Sequence, residues 1–321
     1  MNKRVFVFLF SLYLSIPLFG QRNKILPAVN TEGVAATHTD VAYGNHERNV
    51  LDIWLAESET PTPLVVYIHG GGFMNGDKSR IYESEDIAKF LKSGISFASI
   101  NYRFMLQQEE RLPGCMKDSR RALQFLRVMA EDWNIDKDRI GAYGGSAGAG
   151  TSLWLGLHDE MADPDNEDPV LQESSRLKVV GALATQATYD FTKWQALLKM
   201  EGASEQETQV LLQQGAFALG FKTIEDMESE AGKELRADVD FLSLISEDDP
   251  PVFVYNGMRG GEIDPLDRGH VQHHPFHAIA LKEALEKIDH PSLVYAPKIG
   301  VEPPEEEQMD LVEFFSKYLS E

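Results

Sequence analysis

Ile140-Gly141-Ala142-Tyr143-Gly144-Gly145-Ser146-Ala147-Gly148-Ala149-Gly150 is the stretch on which the reading of this 321-residue chain turns. Arg139 to Tyr143 is a short apolar run with strand character, and Thr151 to His158 has helical patterning. Between them Gly144, Ser146 and Gly148 fit G-x-S-x-G. A serine held on a strained strand-to-helix turn needs small residues two positions before and after it, so that the backbone can bend sharply. A glycine-rich phosphate loop is the competing reading, but the chain has neither a P-loop lysine here nor a G-x-G-x-x-G pattern with a ribose-binding acid.

Outward from this turn, short apolar runs alternate with amphipathic stretches. Residues 50–55, 64–68, 95–100, 179–183, 252–255 and 293–295 read as further strands. Residues 82–92, 116–133, 276–288 and 305–319 read as helices. In the second of these, Ala122, Leu126, Met129 and Trp133 recur at three- and four-residue steps, the mark of one buried helical face. Alternating units of this length predict one α/β domain, a mainly parallel sheet with helices on both faces. Two insertions break the rhythm: acidic Asp159 to Asp168, read as a solvated loop, and Lys193 to Leu244, helical in pattern and expected to form a cap.

A second signal lies upstream in Val65-Val66-Tyr67-Ile68-His69-Gly70-Gly71-Gly72-Phe73, again at a strand end. Three consecutive glycines allow backbone N–H groups to turn toward a developing oxyanion. Each such donor is worth about 3 to 4 kcal/mol of transition-state stabilisation.

With both motifs in this order, the sequence resembles the α/β-hydrolase superfamily, in its esterase and lipase branch with an HGGG loop. The resemblance runs from about Leu51 to the C-terminus and includes Asn101-Tyr102-Arg103 and Asp136-Lys137-Asp138-Arg139-Ile140. It implies a nucleophile at Ser146 and oxyanion donors at the N–H groups of Gly71, Gly72 and Ala147, with His69 shaping the loop. No cofactor or metal is implied. The remaining partners should follow as an acid after the next-to-last strand and a histidine after the last. Asp264, in Gly260-Gly261-Glu262-Ile263-Asp264-Pro265, is the expected acid, with Glu262 and Asp267 beside it.

The chain departs from the pattern after the last strand: Ala296-Pro297-Lys298-Ile299-Gly300-Val301 contains no histidine, and none of the nine histidines lies beyond His290. A serine hydroxyl unaided is a weak nucleophile. The alternatives lie in Gly269-His270-Val271-Gln272-His273-His274-Pro275-Phe276-His277, read as a loop at the carboxyl ends of the strands, the edge that carries Ser146. His274 ranks first and His273 second, because both precede Pro275 in the loop; His277 falls in the following helix, and it and His270 remain as further candidates. Packing roles for all four are the bland alternative. The same histidines suggest a metal site only weakly, since Pro275 interrupts the helical register and no H-E-x-x-H pair accompanies them.

Composition sets outer bounds. With 30 Lys+Arg against 51 Asp+Glu the formal charge is −21, which argues against binding nucleic acid or anionic lipid. The lone Cys115 excludes an intrachain disulfide and reads as a small buried hydrophobe. Trp133, Trp154 and Trp194 read as core or cap packing, and Glu302 to Glu307 as a solvated turn. Lys3 and Arg4 before the apolar run Val5 to Phe19, ending at Gly20-Gln21, have the order of a secretory signal peptide, too short to span a membrane. Residues 21–36 read as a polar linker. The expectation is an exported, secreted or periplasmic, serine hydrolase of small acyl esters, among them carbohydrate acetyl esters. The alternative is a binding protein that keeps the fold and has lost its base.

Overall fold

The computed structural model describes residues 28–320. The expected signal peptide and the first part of the linker lie outside the described residues. Ala28 to Ala36, the remainder of that linker, forms a turn closed by a bridge between Val29 and Ala35, and the Trp54 indole donates to the Val34 carbonyl at 3.1 Å.

Among the described residues eight strands form one sheet: β1 (His38–Ala42), β2 (Val50–Trp54), β3 (Thr62–Ile68), β4 (Ser96–Ile100), β5 (Ile135–Gly145), β6 (Val179–Leu183), β7 (Val252–Tyr255) and β8 (Ser292–Tyr295). Their spatial order is β1-β2-β4-β3-β5-β6-β7-β8. The first two pairings are antiparallel and β3 to β8 run parallel. Strand β1 has no counterpart in the sequence reading: His38-Thr39-Asp40-Val41-Ala42 is a largely exposed edge with one partly buried apolar residue, so alternation was too weak to mark it.

The sequence of β3 to β6 explains the layers. Each carries an apolar run buried on both faces, in β5 only from Ile140 onward, as a parallel sheet between helices requires. Among the described residues eleven α-helices follow in chain order: α1 (Asp86–Lys92), α2 (Arg111–Val128), α3 (Ala147–Leu157), α4 (Pro169–Gln172), α5 (Trp194–Leu197), α6 (Glu205–Ala218), α7 (Glu230–Asp238), α8 (Phe241–Leu244), α9 (Arg268–His273), α10 (Phe276–Glu286) and α11 (Leu311–Leu319). One face of the sheet packs a core containing Leu123, Leu126, Leu153 and Leu281; the other packs Phe90, Tyr143, Phe314 and Phe315.

Helices α5 to α8 make up the expected cap insertion, and no strand interrupts it. No helix among the described residues is long and apolar enough to cross a membrane. Cys115 is buried in α2, where desolvation pushes its thiol pKa up to about 12, so it packs as a neutral group.

Candidate active site

Ser146 sits between β5 and α3 with φ 52° and ψ −115°, a conformation costly for any residue with a Cβ. Its neighbours explain how that turn is held. A Cβ on Gly148 would lie 1.9 Å from the Ile68 carbonyl oxygen, and one on Gly144 2.3 Å from the same atom. The two glycines therefore let the turn approach the end of β3 closely. The Ser146 N–H donates to the Leu183 carbonyl at 2.8 Å, which ties the turn to β6 as well.

The glycine loop follows β3. Gly71, at φ +121°, is the pivot: its carbonyl accepts from Met74 N at 3.1 Å and Asn75 N at 3.2 Å, and a Cβ would strike the Asn75 carbonyl oxygen at 2.0 Å. Gly72 and Ala147 line one cavity with Ser146, while Gly71 lies one residue back in the turn and does not line it. Ala147 is the first residue of α3, where helix geometry leaves the N–H without an intrahelical acceptor.

His69 acts below this loop as a buttress. Its Nδ1 donates to the Gly70 carbonyl at 2.8 Å, its Nε2 accepts from Arg48 at 3.3 Å, and its ring stacks on Tyr102 with centroids 4.3 Å apart. Burial lowers its pKa to about 4, which keeps it neutral. The Tyr102 hydroxyl donates to the His69 carbonyl at 2.8 Å, and Arg103 meets the buried Asp118 with two guanidinium nitrogens, at 2.8 and 2.6 Å. Tyr102 of the Asn101-Tyr102-Arg103 motif thus supports the glycine loop from behind.

The imidazole that reaches Ser146 belongs to His273. Its Nε2 lies 2.8 Å from the serine Oγ. Its Nδ1 lies 2.9 Å from the Gly269 carbonyl oxygen, which can only accept, so Nδ1 carries the proton and Nε2 presents its lone pair to the hydroxyl. His274, ranked first from sequence, does not approach the serine. It is buried, its Nε2 donates to the Gly261 carbonyl at 3.2 Å, and its Nδ1 accepts from Phe276 N at 3.2 Å. Burial holds its pKa below the usual histidine value.

The physical reason for the correction is that residues 268–273 form a helix rather than a loop. Asp267 caps it, accepting from His270 N at 3.1 Å, and the helix turns Gly269 and His273 onto one side. An acid followed by seven non-proline residues before Pro275 was the available signal. The end of α9 is fastened from two sides. Gln186 donates to the Gln272 carbonyl at 2.6 Å and Asn256 to the His273 carbonyl at 3.1 Å; neither residue was singled out from sequence.

Asp264 is likewise displaced from its expected place. Its Oδ1 accepts from Leu266 N at 2.9 Å, and among the described residues no carboxylate lies within hydrogen-bonding range of His273. The orienting partner is the Gly269 carbonyl. After β8, where a histidine was expected by resemblance, Ala296 bridges to Val301 around the turn Pro297–Ile299, and Ile299 packs toward Gly260.

The other histidines are occupied elsewhere. His270 donates to the Arg259 carbonyl at 3.1 Å. His277 donates from Nε2 to the Val271 carbonyl at 3.1 Å and accepts from Ala187 N at 3.2 Å, and burial lowers its pKa to about 3. The four imidazoles of residues 270–277 thus face four different partners, and no group of three or more His, Cys, Asp or Glu converges among the described residues.

The cavity in front of Ser146 has a volume of about 430 Å³. Phe73, Met105 and Leu112 supply apolar wall, and Val210, Gln213 and Phe217 of the cap insertion cover it. Trp194 lines it too, stacked on Phe191 with centroids 4.4 Å apart and donating to the Thr188 carbonyl at 2.9 Å.

A mainly parallel eight-stranded sheet with a serine on the sharp turn after its central strand β5 is the α/β-hydrolase fold. Residues 51–266 match the BD-FAE family model, and the chain belongs to that family. Among curated proteins it is similar to "Esterase LipQ" of Mycobacterium tuberculosis, 29% identical over 179 residues, covering 52% of this chain and 39% of the relative. It is also similar to "Probable carboxylic ester hydrolase LipM" of the same organism, 27% identical over 236 residues, covering 71% of this chain and 49% of the relative. The chain therefore spans less than half the length of either relative. Among solved structures, a truncated carbohydrate esterase from gut microbiota superposes with a TM-score of 0.64 at 17% identity, covering 88% of this chain and 96% of that one. The propionate-bound esterase Est2 of Thermogutta terrifontis gives 0.55 at 17% identity, covering 78% and 79%. At such identities these two likenesses speak for the fold.

Proposed function

We propose that this protein is a serine hydrolase of carboxylic esters, with Ser146 as nucleophile and His273 as base. The observation that carries the reading is the 2.8 Å contact between Ser146 Oγ and His273 Nε2, in the tautomer able to accept a proton. Ser146 Oγ attacks the ester carbonyl carbon as its proton passes to His273. The oxyanion of the tetrahedral intermediate faces the N–H groups of Gly72 and Ala147. Collapse breaks the bond to the alcohol oxygen, which leaves with the proton held by His273. Water then attacks the acyl-enzyme, gives its proton to His273, and the carboxylic acid departs as Ser146 is restored.

The Gly269 carbonyl stands where a carboxylate would orient the imidazole. It secures the tautomer but offers a dipole, not a charge, to the imidazolium formed in the reaction. The apolar cavity suits a small acyl group, and carbohydrate esters are included because the fold is shared with a carbohydrate esterase. The N-terminal apolar segment behind Lys3 and Arg4 supports export.

A fluorophosphonate probe tests the assignment. The protein should gain one covalent adduct located on Ser146, and Ser146→Ala should gain none. Absence of an adduct on the folded protein would favour the binding-protein reading.

A further inference from the structure

The cavity in front of Ser146 carries one charged side chain, Arg268, and no carboxylate, in a chain of formal charge −21. Arg268 opens α9 and Gln272 follows one turn later, so both lie on the helix face turned to the cavity. The arginine is exposed and makes no ion pair among the described residues. The acids closest to it in sequence are engaged elsewhere: Asp267 caps α9 and meets Arg259 at 3.3 Å, and Asp264 accepts from Leu266 N. The polar wall contributed by the cap, Gln213 and Gln214, is neutral. A guanidinium left free of internal carboxylates at the mouth of a cavity offers an anion the positive field that the rest of this acidic protein denies it.

The chemistry indicates which half of the ester that anion belongs to. His273 must return its proton to the leaving oxygen, so the alcohol half lies against α9, the helix that also bears Arg268. Resting on the ester-hydrolase reading above, we propose that Arg268 is a specificity-determining residue that selects esters whose alcohol half carries a carboxylate, such as a hydroxy acid or a uronic acid.

The test compares 4-acetoxybenzoate with 4-acetoxybenzamide, esters of the same acyl group whose alcohol halves match in shape and differ in charge. The ratio of their kcat/KM values is measured for the intact protein, Arg268→Gln and Arg268→Lys, so that intrinsic reactivity cancels between proteins. Arg268→Gln should lower the benzoate-to-benzamide ratio at least about threefold, as expected for a solvent-accessible charge contact. Arg268→Lys should retain part of the preference, and about 0.5 M salt should shrink it in the intact protein. A ratio identical in the intact protein and Arg268→Gln, with both esters turned over, overturns the proposal and leaves the hydrolase reading standing. Failure of the folded protein to turn over either ester refutes the hydrolase reading, and the proposal falls with it.

Discussion

Replacing His273 by alanine removes the imidazole that faces Ser146 Oγ at 2.8 Å, and the structure sets the size of the expected loss. In a serine protease with a complete triad, losing the histidine costs about 2 × 10⁶ in kcat, while losing the carboxylate alone costs about 3 × 10⁴. The ratio, roughly a hundredfold, is what an imidazole contributes without a carboxylate behind it. Here the Gly269 carbonyl takes the carboxylate's place at 2.9 Å and preserves the reactive tautomer. His273→Ala should therefore lower kcat by at least about a hundredfold, but by much less than the loss in a full triad. Pre-steady-state hydrolysis of 4-nitrophenyl acetate measures it, with near-ultraviolet circular dichroism to show that the variant is folded. Added imidazole should restore part of the rate by filling the vacated space. His274→Ala is the control, since both of its ring nitrogens bond to backbone in the supporting loop. It should cost about 1–2 kcal/mol of stability, the price of a pair of buried hydrogen bonds, and less than tenfold in kcat. If folded His273→Ala keeps its rate within a few-fold, or if His274→Ala loses more, the assignment of the base is refuted.

Asp264→Asn should leave kcat within about threefold of the intact protein, because the carboxylate caps a turn at Leu266 and does not touch His273; a hundredfold drop in steady-state ester hydrolysis would place an acid in the mechanism after all. Stability should fall as the pH drops below about 6.5, since His69 and His277 are held neutral with pKa values lowered to about 4 and about 3, whereas the unfolded chain takes up those protons. Each group removes about 1.4 kcal/mol per pH unit across the interval between its unfolded and folded values, so the thermal midpoint should be clearly lower at pH 5 than at pH 7, and a flat profile would contradict the burial of both rings.

Ser146 and the loop of Gly71 and Gly72 were legible in the sequence because their constraints are local. The turn of φ 52° at Ser146 folds Gly144 back on Gly148, where a Cβ would lie 2.6 Å from the Gly148 carbonyl carbon, so glycine recurs at a fixed short spacing. The same holds for the sheet beyond β1, whose strands are built around short, mostly apolar runs separated by helical periodicity. The cap was visible as a helical stretch without strands, whereas the residues it sets at the cavity, Val210, Gln213 and Phe217, were not.

What tertiary structure alone decided is the partner of Ser146. Four histidines within eight residues have similar local chemistry, and the difference between His273 and His274 is one residue of rotation along the chain. That rotation is set by the Asp267 cap and by the anchoring of α9 through Gln186 and Asn256, contacts reaching 86 and 17 residues along the sequence. Asp264 illustrates the same limit: a family position can be recognised from its neighbours, but whether a carboxylate reaches an imidazole depends on where two separate loops meet. Local strain leaves its mark on residue identity, whereas long-range packing selects among residues that the sequence makes equivalent.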